Sequence, residues 1–328
     1  MIPDSVLTHW KLSGSVSELG FGKINDTFKI GDETVVQRIN ASVFLSPKDV
    51  VGNYRRVLPY VRELVPDIVQ TVNGKDFVVD VDGNVWRAFK YYDSRSFKSL
   101  PDSMCLAAGE AYGRLLNRLK DCDVELVPSI EGFHSLSHYV KEFNHHRKFA
   151  PNLPECEYVD EILQQIPDVS VPVHVIHGDC KIGNLLFDPV LPRVLKIVDL
   201  DTLMYGCPSW DFGDLVRSLL TGVEMDENLG LRHSSRIQEL CRGFFSQYRL
   251  TDESSVSSYA SAPSYMSFML GIRYFTDHLA GDVYFKVEQR GSNLERARQQ
   301  FSLYRRLSKQ QHELTQLIES SMESNRQQ

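Results

Sequence analysis

The chain has 328 residues, enough for one large domain or two smaller ones with real cores. Its net charge of −7 and pI of about 5.8 argue against nucleic acid or an anionic membrane as main partner, while leaving room for an anionic ligand held by local charge and backbone N–H groups. Six scattered cysteines form no C-x-x-C pair, which argues against a zinc site or a disulfide framework. Met1-Ile2-Pro3-Asp4 lacks a basic segment before an apolar run, and no stretch reaches transmembrane length, so a cytoplasmic protein is expected.

In chain order, short β-branched or alternating runs at Ser15–Leu19, Thr27–Ile30 and Thr34–Ile39 read as strands separated by Gly-Phe-Gly and Gly-Asp-Glu turns. Pro47 opens a helix to about Leu64, with Val50, Val51, Tyr54, Leu58 and Val61 as its apolar stripe. Asp76–Val81 and Val85–Tyr91 read as a hairpin around Asp82-Gly83-Asn84. After Tyr92 the pattern turns helical, at Asp102–Leu119, 135–149 and 156–166. Val173–Ile176 is a short apolar strand, and Leu185–Phe187 with Val194–Val198 is a second small hairpin. Beyond Pro208 the pattern is almost wholly helical, and Ser292-x-x-Glu295 reads as a capping box opening one last long helix. The order predicts an α+β, two-lobed chain: residues 1–91 as a small antiparallel lobe with one helix, and 92–328 as a larger helical lobe.

The informative run is His177-Gly178-Asp179-Cys180-Lys181-Ile182-Gly183-Asn184, followed fifteen residues later by Asp199. Phosphoryl transfer needs an oriented acceptor hydroxyl and magnesium held against nucleotide phosphates. Asp179 suits the first task, with Lys181 beside it; the oxygens of Asn184 and Asp199 suit a hard cation. An Asp and an Asn five apart are also common turn residues, but Lys181, Asp199 and the flanking apolar strands favour catalysis. This order matches the kinase catalytic loop and its metal-binding Asp, which implies ATP and Mg2+. Asp211-Phe212-Gly213 spells the protein-kinase metal motif, yet it follows the helix-opening Pro208-Ser209-Trp210 and lies too far from Asn184. Asp211 is therefore read as bracing the loop from behind, and His177 as part of that bracing.

Upstream, Gly20, Gly22, Lys23 and Asn25 form a turn between two strands that suits phosphate. Arg38 stands where a kinase places its phosphate-pairing cation, with Asp49 or Glu63 as candidate partners. The motif and the blocks Ile24–Phe28, Gln37–Asn40, Asp82–Arg87, Val198–Thr202, Asp211–Asp214, Arg273–Asp277 and Gly281–Lys286 resemble the aminoglycoside phosphotransferase and choline kinase superfamily, nearest its N-acetylhexosamine 1-kinase branch.

That resemblance implies a protein-kinase-like fold, Asp179 as base, and backbone near Phe89 and Tyr91 on adenine. It places Asp201, Thr202, Arg273 and Tyr284 on the hydroxyl and acetamido groups of an amino sugar. Gly178 and Gly183 depart from the larger polar residues hexosamine kinases often carry there, which leaves the exact sugar open. Two other readings stand beside it. One is a kinase of choline, an aminoglycoside or a similar metabolite, with Asp160, Glu161, Asp226 and Glu227 as a possible cation cage. The other is a catalytically inactive nucleotide-binding regulator.

Overall fold

Strand alternation in the first ninety residues builds a five-stranded antiparallel sheet in the order β1-β2-β3-β5-β4. Its strands are β1 (Val16–Glu18), β2 (Asp26–Ile30), β3 (Thr34–Arg38), β4 (Phe77–Val79) and β5 (Val85–Lys90). The computed structural model describes residues 2–19, 24–150, 152–166, 173–221, 230–231, 234–250 and 253–326. The two-residue period of a strand sorts the side chains between faces. Phe28, Ile30, Val36, Val78, Trp86 and Ala88 pack outward against Ile2, Val6 and Trp10 of an N-terminal segment containing α1 (Asp4–Thr8). That short helix was not anticipated; five residues carry too little periodicity to announce it, and tertiary burial of Val6 holds it.

The opposite face, with Phe89 and Arg87, turns toward α2 (Pro47–Val61). Pro47 begins α2 where its missing N–H has no helical partner to lose. Tyr54, Val57, Leu58 and Val61 of α2 join Phe89 in one buried core with α3 (Asp102–Leu119) and the helices beyond. The main core thus runs across the junction between sheet and helices. β5 ends at Lys90 and α3 begins at Asp102.

The helical part contains α4 (Leu136–His146), α5 (Pro154–Leu163), α6 (Pro208–Leu220), α7 (Ser235–Gln247), α8 (Glu253–Ala280), α9 (Ser292–Lys309) and α10 (Gln311–Arg326). Two small ribbons are set into it. β7 (Leu185–Phe187) pairs with β8 (Val194–Ile197), and β6 (His174–Ile176) pairs with β9 (Met204–Gly206), a strand not expected from the sequence. The predicted last helix is two helices, broken at Gln310, where the backbone leaves the helical region with φ −102° and ψ 12°. The capping box does not form: Gly291 is the N-cap, Ser292 Oγ bonds Gln289 O, and Glu295 pairs with Arg298. Among the described residues no helix is long and apolar enough to cross a membrane.

Candidate active site

The loop between β6 and β7 carries Asp179, Lys181 and Asn184, and the turn after β8 carries Asp199. Pairing of the ribbons brings them together. Lys181 Nζ hydrogen-bonds Asp179 Oδ2 and lies 3.7 Å from Asp199 Oδ2. Asn184 Nδ2 donates to Asp179 O at 2.9 Å and reaches its Oδ2 at 3.3 Å, which leaves Asn184 Oδ1 free to act as a donor atom to a ligand. Asp199 adopts a left-handed conformation (φ 67°), rare outside glycine, which turns the chain sharply out of β8.

The loop is braced from several sides. Asp211, at the start of α6, accepts the N–H groups of His177 (2.8 Å) and Gly178 (2.9 Å). His177 accepts the Asp179 N–H at Nδ1 (3.2 Å) and donates from Nε2 to Val198 O (3.1 Å), tying this loop to the strand before Asp199. Tyr112 of α3 donates to Lys181 O at 2.8 Å, and Ser218 of α6 accepts the Ile182 N–H at 3.1 Å.

Burial and charge then set protonation. Burial alone would raise the Asp179 carboxyl, but the charge and hydrogen bond of Lys181 outweigh it and hold the group below its usual range. Burial would lower Lys181, yet Asp179 and Asp199 together keep its ammonium strongly protonated. Asp199 is pushed up to about 6, chiefly by burial, against the pull of Lys181. Among the described residues no cluster of three His, Cys, Asp or Glu side chains is placed to hold an ion alone. The available donors, Asn184 Oδ1 and the Asp199 carboxylate, are oxygens and fit a hard divalent cation whose remaining ligands come from phosphates and water.

Several expected residues stand elsewhere. Arg38 shares the outer face of β3 with Val36, pointing away from the catalytic loop, and its Nε pairs with Asp26 across the strands at 2.8 Å, not with Asp49 or Glu63. The inner face carries Lys29 of β2, paired with Asp32, and Arg87 of β5. Arg87 is almost wholly buried, pairs with Asp201 at 2.7 Å and 2.9 Å, and is steadied by Gln37. Asp201 is therefore consumed by Arg87 and by Asn25 Nδ2 (2.7 Å), out of reach of a sugar. Asn25 uses its Oδ1 on the Asn40 N–H as well, so both ends of its amide are spent inside the protein. Thr202 donates to His177 O at 2.9 Å and holds the loop. On the adenine stretch, the N–H groups of Lys90 and Tyr91 already serve Asp67 O and Glu33 O, and Phe89 packs on Tyr54. Gly20, Gly22 and Lys23 lie outside the described residues.

A hollow of about 220 Å³ opens in the helical part, lined by Phe133, Tyr139, Arg273, Thr276, Asp277 and Tyr284 among others. Arg273, on α8, is ringed by Phe133, Tyr139, Phe285 and Tyr284 at 5.2–5.8 Å from its guanidinium carbon. It has no hydrogen-bond or ion-pair partner among the described residues, and it senses the field of Asp179. Thr276 Oγ1, buried in the same wall, has no hydrogen-bond partner among the described residues. His134 adjoins this hollow through Phe133 and reaches Gly178 O at 2.7 Å from Nε2. Arg87, His134, Thr276 and Asp277 were not singled out as site residues by sequence. Arg87, Thr276 and Asp277 lie inside the family-like blocks, but nothing local marks which of them turns inward.

A family model described as the phosphotransferase enzyme family matches residues 15–236. Among solved structures, the chain is similar to an amicoumacin kinase in complex with AMP-PNP, Ca2+ and Ami, at 14% identity, 90% of each chain and a TM-score of 0.64. It is also similar to a choline/ethanolamine kinase family protein from Mesorhizobium loti, at 16% identity, 95% of this chain, 93% of that one and a TM-score of 0.60. A third is a microcompartment-associated aminopropanol kinase, at 14% identity, 93% of this chain, 96% of that one and a TM-score of 0.64. At such identities these likenesses establish the shared two-lobed, protein-kinase-like α+β fold.

Proposed function

This chain belongs to the phosphotransferase enzyme family, and from that premise we propose that it is an ATP- and magnesium-dependent small-molecule kinase whose acceptor is a sugar, the anomeric hydroxyl of an N-acetylhexosamine. Residues 1–91 form the nucleotide lobe and 92–328 the acceptor lobe. Asn184 and Asp199 would hold the cation, which when bound would neutralise phosphate charge. Asp179, kept ionised by Lys181, accepts the hydrogen bond of the incoming hydroxyl, aims it and takes its proton. Lys181 neutralises charge on the transferred group. The intact set of Asp179, Asn184 and Asp199 speaks against an inactive regulator.

The observation that carries the acceptor class is Arg273. A guanidinium without an anionic partner, set among aromatic walls, suits an oxygen-bearing neutral group such as an acetamido carbonyl, with a sugar face laid on the rings. A cationic acceptor fits less well. Asp277 and Asp214 are consumed by protein partners, and Asp160 is paired with Arg147. Glu161 lies in a different surface groove, and Asp226 and Glu227 lie outside the described residues. Glu131 and Glu142 also line the hollow. The choice of the anomeric hydroxyl rests on the family resemblance.

The test is phosphate transfer from labelled ATP with magnesium to a panel of N-acetylglucosamine, N-acetylgalactosamine, choline, aminopropanol and kanamycin. Turnover of an N-acetylhexosamine is expected, and turnover of the cations alone would overturn the acceptor class. In the same assay Asp179→Asn should lower kcat roughly 100- to 10,000-fold while leaving nucleotide binding nearly unchanged. Wild-type turnover by that variant would remove Asp179 from the chemistry.

A further inference from the structure

We infer that Asp277 is a positioning residue that builds the acceptor-facing rim of the hollow and keeps Arg273 free for the ligand; this rests on the acceptor reading above. Asp277 lies one helical turn beyond Arg273 on α8, so the two share a face. An acid at that spacing is a natural ion-pair partner for the arginine. No such pair forms, because the carboxylate is fully engaged elsewhere. Its Oδ1 accepts the N–H groups of Val283 (2.9 Å) and Tyr284 (2.8 Å), and its Oδ2 accepts those of Phe285 (2.9 Å) and of the Asn293 side chain (2.8 Å). Three consecutive backbone donors converge on one anion, and Asn293 links it further to Asp282 Oδ1 at 2.9 Å.

The geometry of this cradle decides where the rim goes. α8 ends at Ala280, Gly281 turns the chain at φ 100° and Asp282 follows at φ 62°. The segment then folds back on its own helix, which brings Tyr284 and Phe285 over the Arg273 guanidinium at 5.8 and 5.4 Å. Val283 is 77% exposed and Tyr284 41% exposed, so apart from Phe285, which packs on Tyr274 at 4.5 Å, the segment is held by the anion in its cradle. Replacing Asp277 therefore removes two of the four rings around Arg273 from their places. The neighbouring Phe133 and Tyr139, which come from a different element, stay.

The experiment compares wild type, Asp277→Asn and Asn293→Ala, using N-acetylglucosamine or whichever panel acceptor is turned over. Asp277→Asn places an amide N–H against backbone donors and should raise acceptor KM roughly tenfold or more, with nucleotide KM and kcat nearly unchanged. Amide hydrogen exchange should quicken at 283–285 in that variant while α8 and α9 stay protected. Asn293→Ala removes one donor to the same carboxylate; it should raise acceptor KM less, and it supplies the answer if Asp277→Asn does not fold. Equal rises in both KM values, or an unchanged acceptor KM beside fast exchange at 283–285, would overturn the inference. Failure of wild type to turn over any acceptor would instead overturn the kinase reading on which it stands.

Discussion

His134 shows how much one buried side chain decides. It takes the left-handed region at φ 56°, lies tilted against Phe133 at 4.1 Å between ring centres, and donates to the carbonyl of Gly178, next to Asp179. Burial, opposed by the Gly178 hydrogen bond, drops its pKa from 6.5 to about 4. Between those values the unfolded chain binds a proton that the folded chain refuses, so stability falls as pH falls through that window. The loss from this group is about 2 kcal/mol between pH 7 and pH 5. Glutamine matches the reach of Nε2 and does not titrate, so His134→Gln should flatten the decline in urea midpoint between those pH values. Parallel declines for wild type and variant would mean that His134 is not the group responsible.

At the scale of elements, the contact of α3 with α7 is made possible by glycines. A Cβ on Gly113 would stand 2.3 Å from Phe244 O, one on Gly109 would stand 2.2 Å from Leu240 O, and one on Gly243 would stand 2.2 Å from Leu106 O. The helix backbones therefore touch directly, and this packs Tyr112 so that its hydroxyl meets the catalytic loop at Lys181 O. Helix propensity favours alanine over glycine by about 1 kcal/mol, whereas overpacking costs about 1–3 kcal/mol and more against backbone. Gly113→Ala should therefore lower stability by about 3 kcal/mol, read as a drop in Tm. A stabilised variant would show that the two helices can part without cost.

Across the whole molecule, the sheet and the turn that follows β8 are joined by Arg87, Asp201 and Asn25. The ion pair is 2% exposed on each side, and it bridges β5 to the residue two beyond Asp199. Truncating one partner leaves a buried uncompensated charge, so Arg87→Met should cost about 3–5 kcal/mol in chemical denaturation. Replacing both, as Arg87→Met with Asp201→Leu, should recover much of that loss, since well-packed apolar pairs often substitute for buried ion pairs without penalty. Additive losses in the double variant would show that the two residues stabilise separate regions.

The chain's family and the clustering of the proposed catalytic residues were legible because they depend on short-range spacing. Asp179, Lys181 and Asn184 lie within six residues and Asp199 follows one hairpin later, so local turns alone bring them close. The alternation of the first strands and the stripe of α2 were readable for the same reason, since each period is local. Choices between equivalent neighbours were not. Arg38 and Gln37 differ by one position on β3, and which of them faces the catalytic loop is settled by what packs on each side of the sheet: Trp10 and Val6 claim the outer face. Asp199 and Asp201 are two similar acids in one turn, and Arg87, over a hundred residues earlier, pairs with the second. Arg273 is likewise without a hydrogen-bond or ion-pair partner among the described residues, while Asp277, one turn on, is taken by the backbone of the segment that follows it. Sequence spacing determined which groups are near one another along the chain; the layers that close over them decided which groups remain free.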